Sequence, residues 1–217
     1  MAYEAPLYPV SLAVSGRRCL VVGGGRVAAR KIAGLLACGA QVTVVAPDVI
    51  DTIHSLATTP HHGTETGLLT VEVRPYRSPE AADYRLVVTA TGIAEIDHAV
   101  FGDADAAGVW VNSADDVNNC SFLLPAVHRD GMVTVAVSTG ASPALARWIR
   151  TRVAETVGTD MSVVSELLDE ARSRMKISGK STETLDWAQI LEQEVVPLVR
   201  RGHVEEARSV LRQFVDG

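Results

Sequence analysis

Residues 19–48 read CLVVGGGRVAARKIAGLLACGAQVTVVAPD. The apolar run Arg18–Val22 stops at Gly23 and reads as a buried strand. From Val27 the period changes: Val27, Ile32, Leu35 and Leu36 recur at helical spacing, with Gly39 expected to close the helix as a C-cap. Gln41–Ala46 is a second, β-branched run, stopped by Pro47. The whole is a strand–helix–strand unit of about 30 residues, the size of a right-handed crossover between parallel strands.

Inside it, Gly23-x-Gly25-x-x-Ala28 fits a dinucleotide-binding turn. Gly23 would permit the tight turn, Gly25 the approach of a pyrophosphate to the backbone, and Ala28 close helix–strand packing. The helix start offers N–H groups to the phosphates. Asp48 lies 20 residues beyond Ala28, near the spacing of an acid that grips the adenosine ribose. A carboxylate there would repel a 2′-phosphate, so NAD is expected rather than NADP. The other reading of Asp48 is an N-cap for a short following helix.

Working outward, residues 69–74 and 86–90 read as strands, 95–107 as a helix and 109–112 as a short last strand, with a polar loop over 58–67. Strands alternating with helices imply a parallel sheet covered on both faces. After residue 113 the style changes. Extended runs at 122–128 and 132–138 flank Asp130-Gly131, a hairpin signal. Ser142 is a good N-cap with Pro143 at the first helical position, and further amphipathic helices are expected near 162–175, 184–193 and 204–214. The expected fold is α/β, a parallel sheet followed by a hairpin module and a C-terminal helical region, divided at 1–113, 114–150 and 151–217.

The 217 residues allow one large domain, or an ordinary one with a smaller partner. At 47% hydrophobic and 21% charged the chain can bury a core, and its formal charge of −6 argues against a general nucleic-acid binder. Cys19, Cys38 and Cys120 form no C-x-x-C pair and are odd in number, which suits small buried side chains in a reducing compartment. The N-terminus carries no signal-peptide pattern, and no apolar run reaches about 18 residues. The expectation is a soluble, cytoplasmic protein with no membrane partner.

Ligands of an open parallel sheet bind beyond the carboxyl ends of its strands. Two more segments arrive there: Ala90-Thr91-Gly92, and 112–119, NSADDVNN, with Asp115 and Asp116. A carboxylate beside a nicotinamide can act as a general base. Asn, Ser and Asp also form plain solvated turns, and position alone does not choose between these readings. In a third segment, Ser138, Thr139 and Gly140 precede the capped helix, a seat for a carboxylate. Residues 141–154 carry Arg147, Arg150 and Arg152 with no acid before Glu155, which reads either as a site for an anionic ligand or as a solvated helix face.

The segment from LYPVSLAVSGRRCLVVGGGRVAARKIAGLLACGAQVTVVAP to VNSADDVNNCSFLLPAVHRDGMVTVAVSTGASPALARWIR resembles the precorrin-2 dehydrogenase/sirohydrochlorin ferrochelatase family, the dehydrogenase portion of siroheme synthase and its stand-alone relatives. The specific part of the pattern is Asn112-x-x-Asp115, Ser121-Phe122, Pro125 and Gly140-x-Ser142-Pro143-x-Leu145-Ala146-Arg147. The resemblance implies a Rossmann-like sheet and NAD⁺-dependent oxidation of precorrin-2 to sirohydrochlorin. In some members Fe²⁺ is then inserted. It also implies a homodimer built through the hairpin module. The family's catalytic aspartate falls on Asp115, counted back from Ser121-Phe122. Its cofactor contacts fall on Arg26, Val27, Pro47 and Asp48, with Thr91 at the end of the fourth strand. A polycarboxylate substrate would suit Asn112, Ser138, Thr139, Ser142 and Arg147. Relatives often carry Asn or Asp after that threonine, where this chain has Gly92. The chain ends at Gly217, without room for the methyltransferase domain fused in some relatives, so it is not expected to make its own precorrin-2.

No dedicated protein metal site is expected, because the adjacent His61 and His62 are poorly placed to share one ion and no H-x-x-x-H spacing is present. Any iron would be held mainly by the tetrapyrrole. Two competing readings are an NAD-sensing module without chemistry and a dehydrogenase of another anionic metabolite.

Overall fold

The computed structural model describes residues 6–58, 68–140, 142–182 and 185–216. Nearly all of the polar loop expected at 58–67, including His61 and His62, lies outside them, as does Thr184 at the start of an expected helix. The chain divides into two compact units, Met1–Leu124 and Pro125–Gly217.

The first unit is built on the strands β1 (Arg18–Val22), β2 (Gln41–Ala46), β3 (Leu69–Val73), β4 (Leu86–Thr89) and β5 (Trp110–Ser113). They form one parallel sheet in the order β3-β2-β1-β4-β5. This is the α/β, Rossmann-like arrangement expected. Parallel strands need long crossovers, supplied by α1 (Arg26–Leu36), α2 (Asp51–Thr58) and α3 (Ala94–Ala106). The period of two along β1 separates the cores. Val21 faces a cluster with Ile32, Leu36, Val42, Val44 and Ile53, whereas Leu20 and Val22 face one with Val87, Val100 and Val111. With both faces covered, the strands read as continuous apolar runs rather than alternating ones.

Most element ends fall within a residue of expectation. The helix α1 stops earlier than its glycine suggests: Ala37 is the C-cap, and Gly39 lies beyond it at φ +74°, a left-handed turn from which Ala40 N–H returns to the Leu35 carbonyl. The short helix α2 was expected only as the alternative reading of Asp48, and it begins three residues beyond that acid. It buries only Ile53 in its interior, too little for a helical period to show.

The second unit opens with the antiparallel hairpin β6 (Ala126–Asp130) and β7 (Val133–Val137). Asp130 pairs with Val133, so the turn is Gly131-Met132, one residue later than expected, with Gly131 at φ +55°. The Asp130 carboxylate instead accepts the Ser162 N–H at 2.9 Å. The first strand also starts later than the extended run at 122–128 suggested: Cys120 and Ser121 run back along β5, and the Phe122 carbonyl is held by the Asn112 amide. The helices α4 (Pro143–Val157), α5 (Met161–Ile177), α6 (Trp187–Ile190), α7 (Val196–Arg200) and α8 (Val204–Asp216) follow. The helix expected to end near 193 continues through a π turn, Leu191–Val195, into α7, whose first turn accommodates Pro197. Val164, Leu167, Val195, Leu198 and Leu211 form the core of this unit. Among the described residues no helix is long and apolar enough to cross a membrane.

Ile32 is fully buried between α1 and the sheet. Ile32→Ala is expected to lower the unfolding free energy of the first unit by about 2–5 kcal/mol, read as a shifted urea midpoint.

Candidate active site

The loop between β1 and α1 is pressed between two neighbouring backbones. Gly23 takes φ +125°, and a Cβ there would overlap the Ala90 carbonyl at the end of β4. A Cβ on Gly24 would overlap the Asp48 carbonyl beyond β2. Hydrogen bonds hold both contacts: Gly23 N–H to the Val45 carbonyl at 3.0 Å, Ala90 N–H to Val22 at 2.8 Å, and Ile50 N–H to Gly24 at 3.0 Å. Gly24 was not singled out from the sequence, although the unbroken Gly23-Gly24-Gly25 run was a signal for it.

Gly25 differs. A Cβ there meets nothing within 4 Å. It is the N-cap of α1 and provides no side-chain cap, and the first helical bond is Ala29 N–H to the Gly25 carbonyl at 3.0 Å. The N–H groups of Arg26, Val27 and Ala28 therefore have no intrahelical acceptor. Arg26 and Val27 are exposed, and Ala28 is fully buried against the sheet. An open face over unsatisfied N–H groups at the positive end of a helix fits a pyrophosphate. Pro47 and Asp48 are exposed beside it. Asp48 precedes α2 by three residues, so it is not the helix cap, and its carboxylate has no hydrogen bond among the described residues.

The fourth strand brings Thr91 to the same edge, but its hydroxyl donates to Asp97 at 2.7 Å and its N–H reaches the same oxygen at 3.3 Å. Thr89 also hydrogen-bonds that carboxylate, which is only 4% exposed. The Thr91 side chain and N–H are thus both committed to the fold. Asp97 was missed because an acid in a first helical turn ordinarily reads as a dipole partner.

Beyond β5 the chain makes a short loop and returns. Asn112 bridges to Cys120, and Ser121 exchanges backbone hydrogen bonds with Val111 through its N–H and hydroxyl, each at 2.8 Å. The buried Asn112 amide donates to the Phe122 carbonyl at 3.1 Å, while its oxygen accepts from Lys31 Nζ at 3.3 Å. Asn112, expected to bind substrate, is therefore a tie inside the loop. Lys31 is half-buried, and burial, then the neighbouring Arg30, push its ammonium pKa down. Ala114 N–H binds the Thr89 carbonyl at 2.9 Å, so the loop sits against the end of β4.

This geometry separates the adjacent acids. The Asp116 carboxylate accepts the Asn118 N–H at 2.9 Å and so caps the one-turn 3₁₀ helix Val117–Asn119. Asp115 is exposed at the loop tip with no hydrogen bond or ion pair among the described residues. It lies on the carboxyl edge that carries the glycine turn, where a base could act.

In the second unit, Ser142 caps α4 by accepting the Leu145 N–H at 3.3 Å, with Pro143 at the helix start as expected. The Thr139 hydroxyl donates to the Ser142 carbonyl at 2.7 Å. Ser138 and Arg147 are exposed, and Arg147 makes no ion pair among the described residues, whereas Arg152 pairs with Glu155.

The two glycines give opposite expectations. Gly24→Ala should destabilise the first unit by on the order of 1–3 kcal/mol, because the Asp48 backbone must move. Gly25→Val should abolish dinucleotide binding, measured by calorimetry, at a stability cost of only about 1 kcal/mol through the poorer N-cap, since no backbone has to move.

The structure resembles a solved structure described as SirC, precorrin-2 dehydrogenase, with a TM-score of 0.71 and 25% identity, covering 97% of this chain and 100% of that one. In sequence it is 34% identical over 212 residues to the siroheme synthase of Nitrosococcus oceani, covering 96% of this chain and 44% of the relative. It is 32% identical over 211 residues to that of Acinetobacter baylyi, covering 95% and 45%. The chain thus spans less than half the length of these curated relatives. The family described as putative NAD(P)-binding matches residues 10–126. That stretch takes in the glycine turn, Asp48 and the whole Asp115 loop, and on this match the chain belongs to the putative NAD(P)-binding family.

Proposed function

We propose that this protein oxidises precorrin-2 to sirohydrochlorin with NAD⁺ and that Asp115 is the base. The observation carrying the reading is the division of labour in the loop after β5. Asp116 is consumed as a cap, and Asp115 is left exposed and unpaired on the edge that holds the glycine turn. The likeness to SirC and to the siroheme synthases supports the choice of substrate.

Oxidation of the macrocycle removes a hydride and a proton. The bound dinucleotide supplies the hydride acceptor. The α1 N–H groups over Gly25 hold its pyrophosphate, Arg26 and Val27 flank it, and Asp48, with Pro47 beside it, takes the ribose hydroxyls. An acid in that place repels a 2′-phosphate, which supports NAD over NADP. Asp115 accepts the proton while Asn112 and Lys31 tie down the loop from within.

The substrate's carboxylates fall to Arg147, to Ser138 and to the backbone around Thr139 and Ser142, whose hydroxyls are already engaged. Fe²⁺ enters as a second substrate: metal insertion displaces pyrrole protons, and Asp115 is suited to accept them. In this reading the iron is held by the tetrapyrrole. We further propose a homodimer through a module spanning 114–150, between a dinucleotide domain at 1–113 and a helical region at 151–217. Exposed Met132 and Trp148 support this. Cysteines without a disulfide among the described residues suit a cytoplasmic location.

In anaerobic turnover with precorrin-2 and NAD⁺, Asp115→Asn is expected to lower kcat roughly 10²–10⁴-fold with NAD⁺ affinity unchanged. Asp116→Asn, which keeps a capping side chain, should remain active. An active Asp115→Asn enzyme would remove Asp115 as the base.

A further inference from the structure

An arginine stands at the carboxyl edge of the sheet, beside the strand that leads to Asp48. Arg74 directly follows β3, whose last residue, Val73, pairs with Ala46 at the end of β2. Its N–H binds the Ala46 carbonyl at 2.9 Å. It therefore stands on the strand neighbouring Asp48, two residues along the chain from Ala46, at the carboxyl edge where the adenosine ribose would lie. An arginine in this neighbourhood is the group that accommodates a 2′-phosphate in NADP sites.

Here the guanidinium is fully engaged. Its Nε donates to Glu72 at 2.8 Å, Nη1 to Glu80 at 2.8 Å and to the Pro75 carbonyl at 3.0 Å, and Nη2 to the second Glu80 oxygen at 2.5 Å. Nη2 also lies 2.6 Å from Glu72. Glu80 is fixed in turn by the Arg77 N–H at 2.7 Å. The Arg74 and Glu80 side chains are 20% and 17% exposed, so the fork-to-fork pair is shielded enough to matter. The Arg74 hydrogen bonds hold the Glu80 carboxyl below the usual range.

We propose that Arg74 is a latent 2′-phosphate receptor kept shut by Glu72 and Glu80, and that this pair acts with Asp48 to set the preference of the site for NAD over NADP. The inference rests on the dinucleotide reading of the glycine turn and deepens it. Asp48 repels the additional phosphate, and the two glutamates withhold the cation that would attract it. They also add negative charge to the same edge. A charge-assisted pair must be broken before Arg74 can serve a nucleotide, so NADP is penalised twice, by repulsion from Asp48 and by the withheld cation.

The test is the affinity of the 217-residue chain for NAD⁺ and NADP⁺, by calorimetry, in wild type, Glu72→Gln/Glu80→Gln, and that double variant with Arg74→Met added. Wild type should prefer NAD⁺. The double variant should bind NADP⁺ roughly ten- to hundredfold more tightly than wild type, with NAD⁺ affinity within about twofold. Arg74→Met should erase the gain, which separates Arg74 from the neighbouring Arg77. If the double variant does not fold, Glu72→Gln alone removes the more exposed partner and should move the ratio the same way. Unchanged NADP⁺ affinity with NAD⁺ binding intact overturns the proposal, as does a gain that survives Arg74→Met or a wild type that binds both equally. A wild type that binds neither dinucleotide instead overturns the reading of the glycine turn, and the inference with it.

Discussion

The first unit depends on a turn that has no room for side chains. Gly23 rests on the Ala90 carbonyl and Gly24 on the Asp48 carbonyl, so the ends of β4 and β2 are both set against the loop leaving β1. These contacts are steric, and hydrogen bonds from Gly23, Ile50 and Ala90 lock them on either side. Once they are made, the amino end of α1 faces the crevice where the strand order reverses, between β1 and β4. The next glycine does the opposite work. Nothing occupies the space over Gly25, and the helix below it has N–H groups to spare. One three-residue run thus closes the fold and opens the site.

Carboxylates along the same edge take distinct roles according to their donors. Asp97 is buried under the hydroxyls of Thr89 and Thr91 and serves the end of β4. Asp116 caps a single turn. Glu72 and Glu80 enclose Arg74. Asp115 and Asp48 remain exposed and without hydrogen bonds among the described residues, at positions suited to a proton and to a ribose. A count of acids in the sequence does not separate these roles, because each depends on which donor the backbone brings within about 3 Å.

The strands were the most legible part. Arg18–Val22 and Gln41–Ala46 are β-branched, apolar and bounded by glycine or proline, so the run length alone set their ends. The hairpin was legible from Asp130-Gly131, but its register moved by one because Asp130 is both the last paired residue and an acceptor for Ser162 N–H. The long-range ties stayed hidden. Lys31 meets Asn112 across 81 residues of sequence, and no local pattern signals that meeting. For that reason Asn112 read as a substrate group. Asp115 and Asp116 were told apart on paper only by the resemblance, whereas in the structure Asp116 caps a turn and Asp115 does not. The pairing of Arg74 with Glu80 likewise depends on the 3₁₀ turn Glu80–Asp83, which carries too few residues to show a period.

In the proposed reaction a dinucleotide bound over Gly25 and a base at Asp115 act on one tetrapyrrole. The most direct test is a single anaerobic turnover of NAD⁺-loaded protein with precorrin-2, following NADH and the tetrapyrrole spectrum together. One NADH should form for each sirohydrochlorin, both rising at the same rate. Bound NAD⁺ with an unchanged precorrin-2 spectrum would contradict it.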